Sequence, residues 1–346
     1  MSYKPIYTIT DDILNQIADI SKMLGELTAN QNFQLDLNLR RKNRIRTVQG
    51  SLAIEANTLT LEQVTEVLNG KIVIAPPKDI KEVKNAFEIY EQLDLLDPYS
   101  IDDFLKAHSV MANGLEKSAG EFRNSNVGVA DSRTGQIVHF GALHAVVPKL
   151  MTELFDWSRE SRLHMLVKGC IVHYEVEVIH PFTDGNGRMG RLWHTVMLNQ
   201  WDSIFSMLPI ESIVYANQEN YYKVLQICDN QADCTLFIEF MLDCIYDTIQ
   251  EQREKVRQST PQVSPHVTPQ VSQQVSTQVT PQVRRLLDVL GDDALSASEI
   301  MERLELRDRN SFRKRYLEPA LEQGLIEMTI PDKPRSRSQS YRLTKN

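Results

Sequence analysis

The chain has 346 residues, with 42% hydrophobic and 24% charged side chains, the balance of an ordinary soluble globular protein with room for two domains. Its formal net charge of −8 argues against wholesale binding to nucleic acid or to an anionic membrane surface. There is no secretory leader pattern and no apolar run long enough to span a bilayer. The four cysteines (Cys170, Cys228, Cys234, Cys244) form no C-x-x-C pair, so buried thiols in a reducing, cytoplasmic setting are expected.

In chain order, apolar residues at Ile13, Ile17, Ile20, Met23, Leu24 and Leu27 predict a helix over 11–29. A second helix is predicted from about 35 to 55, rich in Arg and Lys at its start and ending Ser51-Leu52-Ala53-Ile54-Glu55-Ala56-Asn57. Ser51 and Glu55 are four apart and share a face. Glu55 stands at the helix C-terminus, where the dipole disfavours a negative charge, so it gains most from an arginine partner. Thr60-Leu61-Glu62-Gln63 reads as a capping box opening a helix that ends near Asn69-Gly70. Ile72 to Ala75 is short and extended ahead of Pro76-Pro77, and amphipathic helices are predicted over 79–96 and 101–115. Val127 to Phe140 is the one β-like stretch of this region, a hairpin turning at 131–135. A helix over 146–158 follows.

The next helix, apolar at Leu163, Leu166, Val167, Cys170, Ile171, Tyr174 and Val178, must stop at His180 because Pro181 cannot continue it. His180-Pro181-Phe182-Thr183-Asp184-Gly185-Asn186-Gly187-Arg188-Met189-Gly190-Arg191 then leads into a helix over 189–201. Gly185 and Gly187 are expected in the turn feeding that helix, where free N–H groups and the helix dipole make an anion site. Arg188 and Arg191 share a helix face and suit a polyphosphate. Asp184 suits Mg2+, which takes one or two carboxylates plus phosphate oxygens. His180 suits a general base near neutral pH. Together these residues point to phosphate-bond chemistry.

The twelve residues also match the Fic-family signature His-Pro-Phe-x-Asp/Glu-Gly-Asn-Gly-Arg-x-x-Arg at every fixed position, and the chain is identified on them as a member of that family. The resemblance implies an all-α Fic helical core with a short β-hairpin flap, and a protein adenylyltransferase that moves AMP from ATP to a Ser, Thr or Tyr hydroxyl with Mg2+ as cofactor. By position, it implies His180 as the base, Asp184 as the metal ligand, Gly185-Asn186-Gly187 as the anion hole, and Arg188 and Arg191 on the β- and γ-phosphates. Phe182 would anchor the loop. The similar Doc kinases interrupt the anion hole with a lysine, so the unbroken Gly-Asn-Gly favours AMP transfer. Ser51 to Asn57 resembles the family's inhibitory motif, Ser/Thr-x-x-x-Glu-Gly/Asn, in the class that carries it on an N-terminal helix, here about 35–57. Glu55 would then meet Arg191 and block the γ-phosphate. Ala56 departs from the pattern, and Asn57 is expected to take the left-handed turn instead. The same glutamate, in that family, can orient a water that removes AMP, so both directions stay open. Gly120-Glu121-Phe122-Arg123 resembles a step ahead of the active site. Gln136, Ile137 and Val138 would be the flap edge that docks a protein target, the chain itself included, although Leu143-His144 stands where relatives often carry Pro-Pro. Tyr222 and Asn230, on a helix leading to Asp229-Asn230-Gln231, would border adenine, and a final core helix is expected over 237–249.

Three parts are therefore expected. They are a Fic domain over 1–257, a low-complexity Thr/Pro/Gln/Val linker over 258–282, and a winged-helix-like α+β domain over 283–346. The last 64 residues carry 13 Lys and Arg against 11 Asp and Glu, whereas the preceding 282 carry 25 against 35. In this last domain, helices are expected over 285–290, 296–304 and 309–323, and strands over 325–330 and 340–343. Arg307, Arg309, Arg313, Lys314 and Arg315, with Arg335 and Arg337 on the wing, leave DNA phosphates or a docking protein open as the partner. A nucleotide-sensing transcriptional regulator is the alternative function, and an oligomeric state is open.

Overall fold

The computed structural model describes residues 4–29, 37–130, 135, 137–259, 281–290, 294–304, 306, 312–329 and 339–344. They fall in two compact units, Met1–Gln262 and Val263–Asn346. The predicted linker lies almost wholly outside the described residues, as do Gln136 and the hairpin turn at 131–134.

The first unit is helical: α1 Asp11–Thr28, α2 Leu37–Ile54, α3 Leu61–Leu68, α4 Pro77–Tyr90, α5 Ile101–Met111, α6 Val147–Glu160, α7 Met165–Ile179, α8 Asn186–Trp201, α9 Ile210–Ala216, α10 Gln218–Gln231 and α11 Thr235–Ser259. One antiparallel hairpin, β1 Gly128–Ala130 and β2 Ile137–Phe140, interrupts them between α5 and α6. The capping box at Thr60 and Gln63 forms as its residues predict. Several boundaries move. Pro77 opens α4 two residues early, since a first-turn proline loses no hydrogen bond, and α4 ends at Tyr90 in a separate 3₁₀ turn, Leu93–Leu95. Helix α5 stops at Met111, not 115, and α11 runs to Ser259 rather than 249. Helix α9 has no counterpart in the sequence reading.

The helices α7 and α8 form the axis of this unit. From Leu166 to Val176 every α7 residue is buried, and one apolar cluster lies on each side. The pair packs close because each helix offers a glycine under a histidine of the other. A Cβ on Gly169 would lie 2.8 Å from His194, and one on Gly190 would lie 2.7 Å from His173. Helix α2 is drawn against this core by buried polar contacts. The Asn43 amide donates to Met207 O and Gln252 Oε1, both at 2.9 Å, and Gly50 leaves room for the Glu211 backbone. No helix among the described residues is long and apolar enough to cross a membrane.

The second unit is α+β: α12 Pro281–Leu290, β3 Leu295–Ser296, α13 Ala297–Arg303, a π-turn Arg313–Leu317, α14 Glu318–Glu322, β4 Ile326–Met328 and β5 Ser340–Leu343. Its sheet is antiparallel in the order β3-β5-β4, over a core that includes Leu286, Ile300, Phe312 and Ile326. Ser296 and Glu299 cap α13 reciprocally. The two-residue β3 carries too little pattern to be read in sequence. The third helix is broken, because Pro319 has no N–H to give to the carbonyl four residues back and the preceding turn widens to π geometry. Arg307, Arg309, Arg335 and Arg337 lie outside the described residues, as do the side chains of Lys314 and Arg315.

Candidate active site

The site is built where α7 gives way to α8. His180 caps α7 in the left-handed conformation (φ 53°, ψ 61°), and its N–H still donates to Val176 O. A residue with a Cβ holds that conformation only when its surroundings impose it. Here the imposing group is Arg123. Its guanidinium donates to the carbonyls of His180 (2.7 Å), Ser125 (2.7 Å), Ile179 and Ala142, while its own N–H reaches Pro181 O at 3.0 Å. One buried cation thus gathers the last carbonyls of α7, the entry of the loop and the exit of the hairpin. The Gly120–Arg123 segment earns its place in the sequence through this clamp.

His180 Nδ1 lies 3.2 Å from Glu177 O. A carbonyl only accepts, so Nδ1 carries the proton and Nε2 keeps its lone pair. Burial lowers the His180 pKa below its ordinary value. The nearby Glu177 opposes this, and His139 and Arg123 add to it. The imidazole is therefore a free base at neutral pH. His139 on β2 has its ring 6.2 Å from that of His180 and spans Asp229 Oδ2 and Val178 O, both at 2.9 Å, tying the hairpin to α10 and α7. Nothing in the sequence singled it out. The exposed side chains of β2 are Ile137, Val138 and Phe140.

The loop folds over Phe182, which is fully buried. The Asn186 side chain accepts from Phe182 N–H at 2.7 Å and donates to Phe182 O at 2.9 Å. Asn186 thus closes the loop on itself, and only its backbone N–H is left to face a ligand. Gly185 takes φ 85° as the N-cap of α8. The helix starts at Asn186, three residues earlier than expected, so Gly187 belongs to its first turn rather than to the preceding loop. The half-exposed carboxylate of Asp184 accepts from Gly185 N–H at 2.6 Å and lies 3.2 Å from Arg188. A single open carboxylate beside a helix N-terminus fits Mg2+, whose remaining ligands are phosphate oxygens and water.

His108, from the last turn of α5, stacks on Phe182 with ring centroids 3.6 Å apart and 9° between planes. Its pKa falls to about 4, chiefly through burial, so the ring is neutral.

The two arginines point inward from α8 to different partners. Arg188 lies between Asp184 and Glu82 of α4, 3.3 Å away and also buried. Glu82 accepts from the Asn57 amide as well, at 2.8 Å. Arg191 is 2% exposed. Its guanidinium donates to Ser51 Oγ (3.2 Å), Ser51 O (3.1 Å) and Glu55 Oε1 (2.7 Å), which brings Ser51 of α2 and Glu55, just past its end, onto one cation. Burial opposes the charge on Arg191, and the carboxylates of Glu55 and Glu177 outweigh it, so its pKa is raised. Burial likewise opposes the charge on Glu177, but its contact with His173 and the charge of Arg191 hold its pKa down at about 2. Gly187 is what makes room for the Glu55 contact, because a Cβ there would lie 2.2 Å from Glu55 Oε1.

Helix α2 ends one residue earlier than the sequence suggested. The left-handed residue is Ala56 (φ 62°), not Asn57. Asn57 N–H bonds Leu52 O at 3.1 Å, closing the turn one position later, and its amide is spent on Glu82 and Asp79 O. Helix α10 holds the same turn, since Tyr222 Oη and Gln218 Nε2 both donate to Ile54 O at 2.8 Å. Tyr222 is thus engaged by α2 through its hydroxyl while its side chain stays exposed, as does Asn230.

The Fic/DOC family profile matches residues 98–198, and the profile of the C-terminal domain of the filamentation-induced-by-cAMP protein Fic-like matches 281–344. The protein adenylyltransferase Fic of Nematostella vectensis is 29% identical over 206 residues, which is 56% of this chain and 45% of that protein. The protein adenylyltransferase fic-1 of Caenorhabditis elegans is 30% identical over 211 residues, 56% of this chain and 38% of that protein. The chain therefore spans less than half the length of these curated relatives. A crystal structure of a Fic family protein from Desulfovibrio desulfuricans G20 is 44% identical, covers 99% of both chains and superposes with a TM-score of 0.71. With the signature placed around one helix junction and a relative of this identity along its whole length, the chain belongs to the Fic family.

Proposed function

We propose that the chain is a protein adenylyltransferase that transfers AMP from ATP to a protein hydroxyl and is restrained by Glu55. The observation that carries this reading is the α7–α8 junction, where a neutral His180 ends one helix and, in the first turn of the next, Gly187 makes room for the Glu55–Arg191 pair. His180 Nε2 takes the proton of the target hydroxyl. The hydroxyl oxygen attacks the α-phosphorus, the bond to the bridging oxygen breaks, and pyrophosphate leaves. The imidazolium formed is stabilised by Glu177. The N–H groups of Asn186 and Gly187 receive charge on the phosphates, Gly185 N–H being held by the Asp184 carboxylate, and Arg188 and Arg191 bind the β- and γ-phosphates. Asp184 would hold Mg2+, which supplies neutralisation of phosphate charge. The target lies along β2, pairing through backbone groups beside Ile137 and Val138. Tyr222 and Asn230 border the base.

While Glu55 holds Arg191, a γ-phosphate has to displace it. Wild type, Glu55→Gly and Glu55→Gly/His180→Ala are to be compared with ATP labelled on the α-phosphate and Mg2+, with lysate protein as acceptor. Label at least tenfold higher in Glu55→Gly than in wild type, and absent from the double variant, is the expected result. Equal labelling of the first two removes the brake, and no label in any of them removes the enzyme reading.

Of the basic residues that motivate the regulator alternative, Arg313 is paired with Glu318 at 2.8 Å, and Arg342 is likewise paired with Glu327 at 2.7 Å. The winged-helix reading of the second unit rests on its three helical segments followed by a β4–β5 hairpin.

A further inference from the structure

His108 is 76 residues from Asp184 in sequence and is 1% exposed, yet every polar atom of its ring is committed to the motif loop and its support. Gly120 N–H lies 3.0 Å from Nδ1. A backbone N–H can only donate, so Nδ1 accepts and the single proton of the neutral ring is on Nε2. Nε2 lies 3.1 Å from Asp184 O, to which it donates. The stack on Phe182 fixes the ring plane.

The carbonyl held in this way belongs to the 184–185 peptide. In a trans peptide the C=O and the N–H point in opposite directions. Tethering Asp184 O to His108 therefore turns Gly185 N–H away from α5, toward the Asp184 carboxylate that it meets at 2.6 Å. Gly185, at φ 85° and without a Cβ, offers little resistance of its own to a flip of that peptide.

We propose that His108 is a positioning residue for the AMP transfer proposed above: the relay from Gly120 N–H through the imidazole to Asp184 O locks the 184–185 peptide, so that the Asp184 carboxylate and the following amide groups face the polyphosphate. This rests on the adenylyltransferase reading. It also gives Gly120 a reason to stand three residues before Arg123, since the two clamp opposite ends of one loop.

The test uses the full-length Glu55→Gly chain with His108→Phe, His108→Gln or His108→Asn added. Phenylalanine keeps the stack and loses both hydrogen bonds. Glutamine places an amide donor near the Nε2 position, and the shorter asparagine places its amide near Nδ1. The readouts are Mg-ATP affinity by calorimetry, kcat and KM for AMP transfer, and thermal unfolding. His108→Phe is expected to bind Mg-ATP about tenfold more weakly and to lose about tenfold in kcat, the scale of one lost hydrogen bond to a buried peptide. His108→Gln is expected to recover most of both losses, and His108→Asn neither. Values for His108→Phe within twofold of the parent, or indistinguishable Gln and Asn variants, overturn the proposal. If His108→Phe does not fold, the Gln and Asn pair decides. If the parent transfers no AMP, the function reading fails, and Mg-ATP affinity alone decides the role of His108.

Discussion

Helices α7 and α2 end on the same backbone device, a non-glycine residue in the left-handed region, and are treated in opposite ways by their surroundings. His180 (φ 53°) is enclosed. Arg123 holds the carbonyls around it, and Phe182 and Asn186 close the loop beneath. Ala56 (φ 62°) is held from the side, by Tyr222 and Gln218 on Ile54 O and by Asn57 on Glu82 and Asp79. Tyr222 is 46% exposed and the Glu55 side chain 36%, so water and ligands reach the contacts that keep the turn in place. The backbone strain is about 1–2 kcal/mol in either case. It is locked where it aims the proposed base, and held by exchangeable contacts where it aims the proposed brake.

The comparison breaks most sharply at Arg123. Replacing it with Met leaves several buried carbonyls without a donor, each costing about 1–3 kcal/mol. In the Glu55→Gly background, Arg123→Met should lower AMP transfer at least 100-fold and lower the unfolding midpoint markedly. Transfer within threefold of the parent would mean that the α7 terminus holds His180 without the clamp.

The next effect is one of pH. Burial sets the His180 pKa below its ordinary 6.5, against Glu177 and with His139 and Arg123. The imidazole stays neutral until the pH falls below that lowered value. Transfer by Glu55→Gly should then drop about tenfold per pH unit on the acid side, with its half-point below 6.5. Linkage has the same sign. Protonating His180 is harder in the folded than in the unfolded chain, so its contribution lowers stability as pH falls through 6.5 toward the folded value. A half-point above 7 in the pH–rate profile would contradict the buried setting.

The layout of the α7–α8 junction is legible in the sequence because that information is local. Pro181 stops one helix, Gly185 starts the next, and Ser51 and Glu55 show their shared face through a spacing of four. What it did not carry arrives from other elements. His108, Glu82 and His139 are ordinary residues of α5, α4 and β2, and only tertiary packing brings them to the loop. Periodicity sees the face a residue shares with its own helix, not the carbonyl it meets 76 residues away. The α2 terminus shows a finer limit. Asn57 is the better left-handed residue by conformational preference, but its N–H and amide are already bound to Leu52, Asp79 and Glu82. Ala56 takes the strained position in consequence.

A smaller effect separates the two supports of the turn that carries Glu55. Tyr222→Phe keeps the ring for a base to pack on and removes one donor from Ile54 O. Gln218→Ala removes the other. Each should raise labelling by the wild-type chain about threefold and leave the Glu55→Gly chain unchanged, since there the carboxylate is already gone. An equal change in both backgrounds would mean that Tyr222 and Gln218 act on nucleotide binding and not on the turn.

The smallest effect tests the strain itself. Glycine at position 56 adopts φ 62° without the Cβ penalty, while costing chain entropy in the unfolded state, for a net gain of about 0.5–1 kcal/mol. For a unit of this size that raises the unfolding midpoint by about 2 °C. The direction of the activity change is the sharper reading. Relaxing Ala56 stabilises the conformation in which Glu55 meets Arg191, so Ala56→Gly should lower basal labelling of the otherwise wild-type chain while raising its stability. Higher stability with higher labelling would mean that the turn relaxes away from Arg191 when the strain is lifted. In that case the alanine, and not the surrounding hydrogen bonds, presses Glu55 onto its partner.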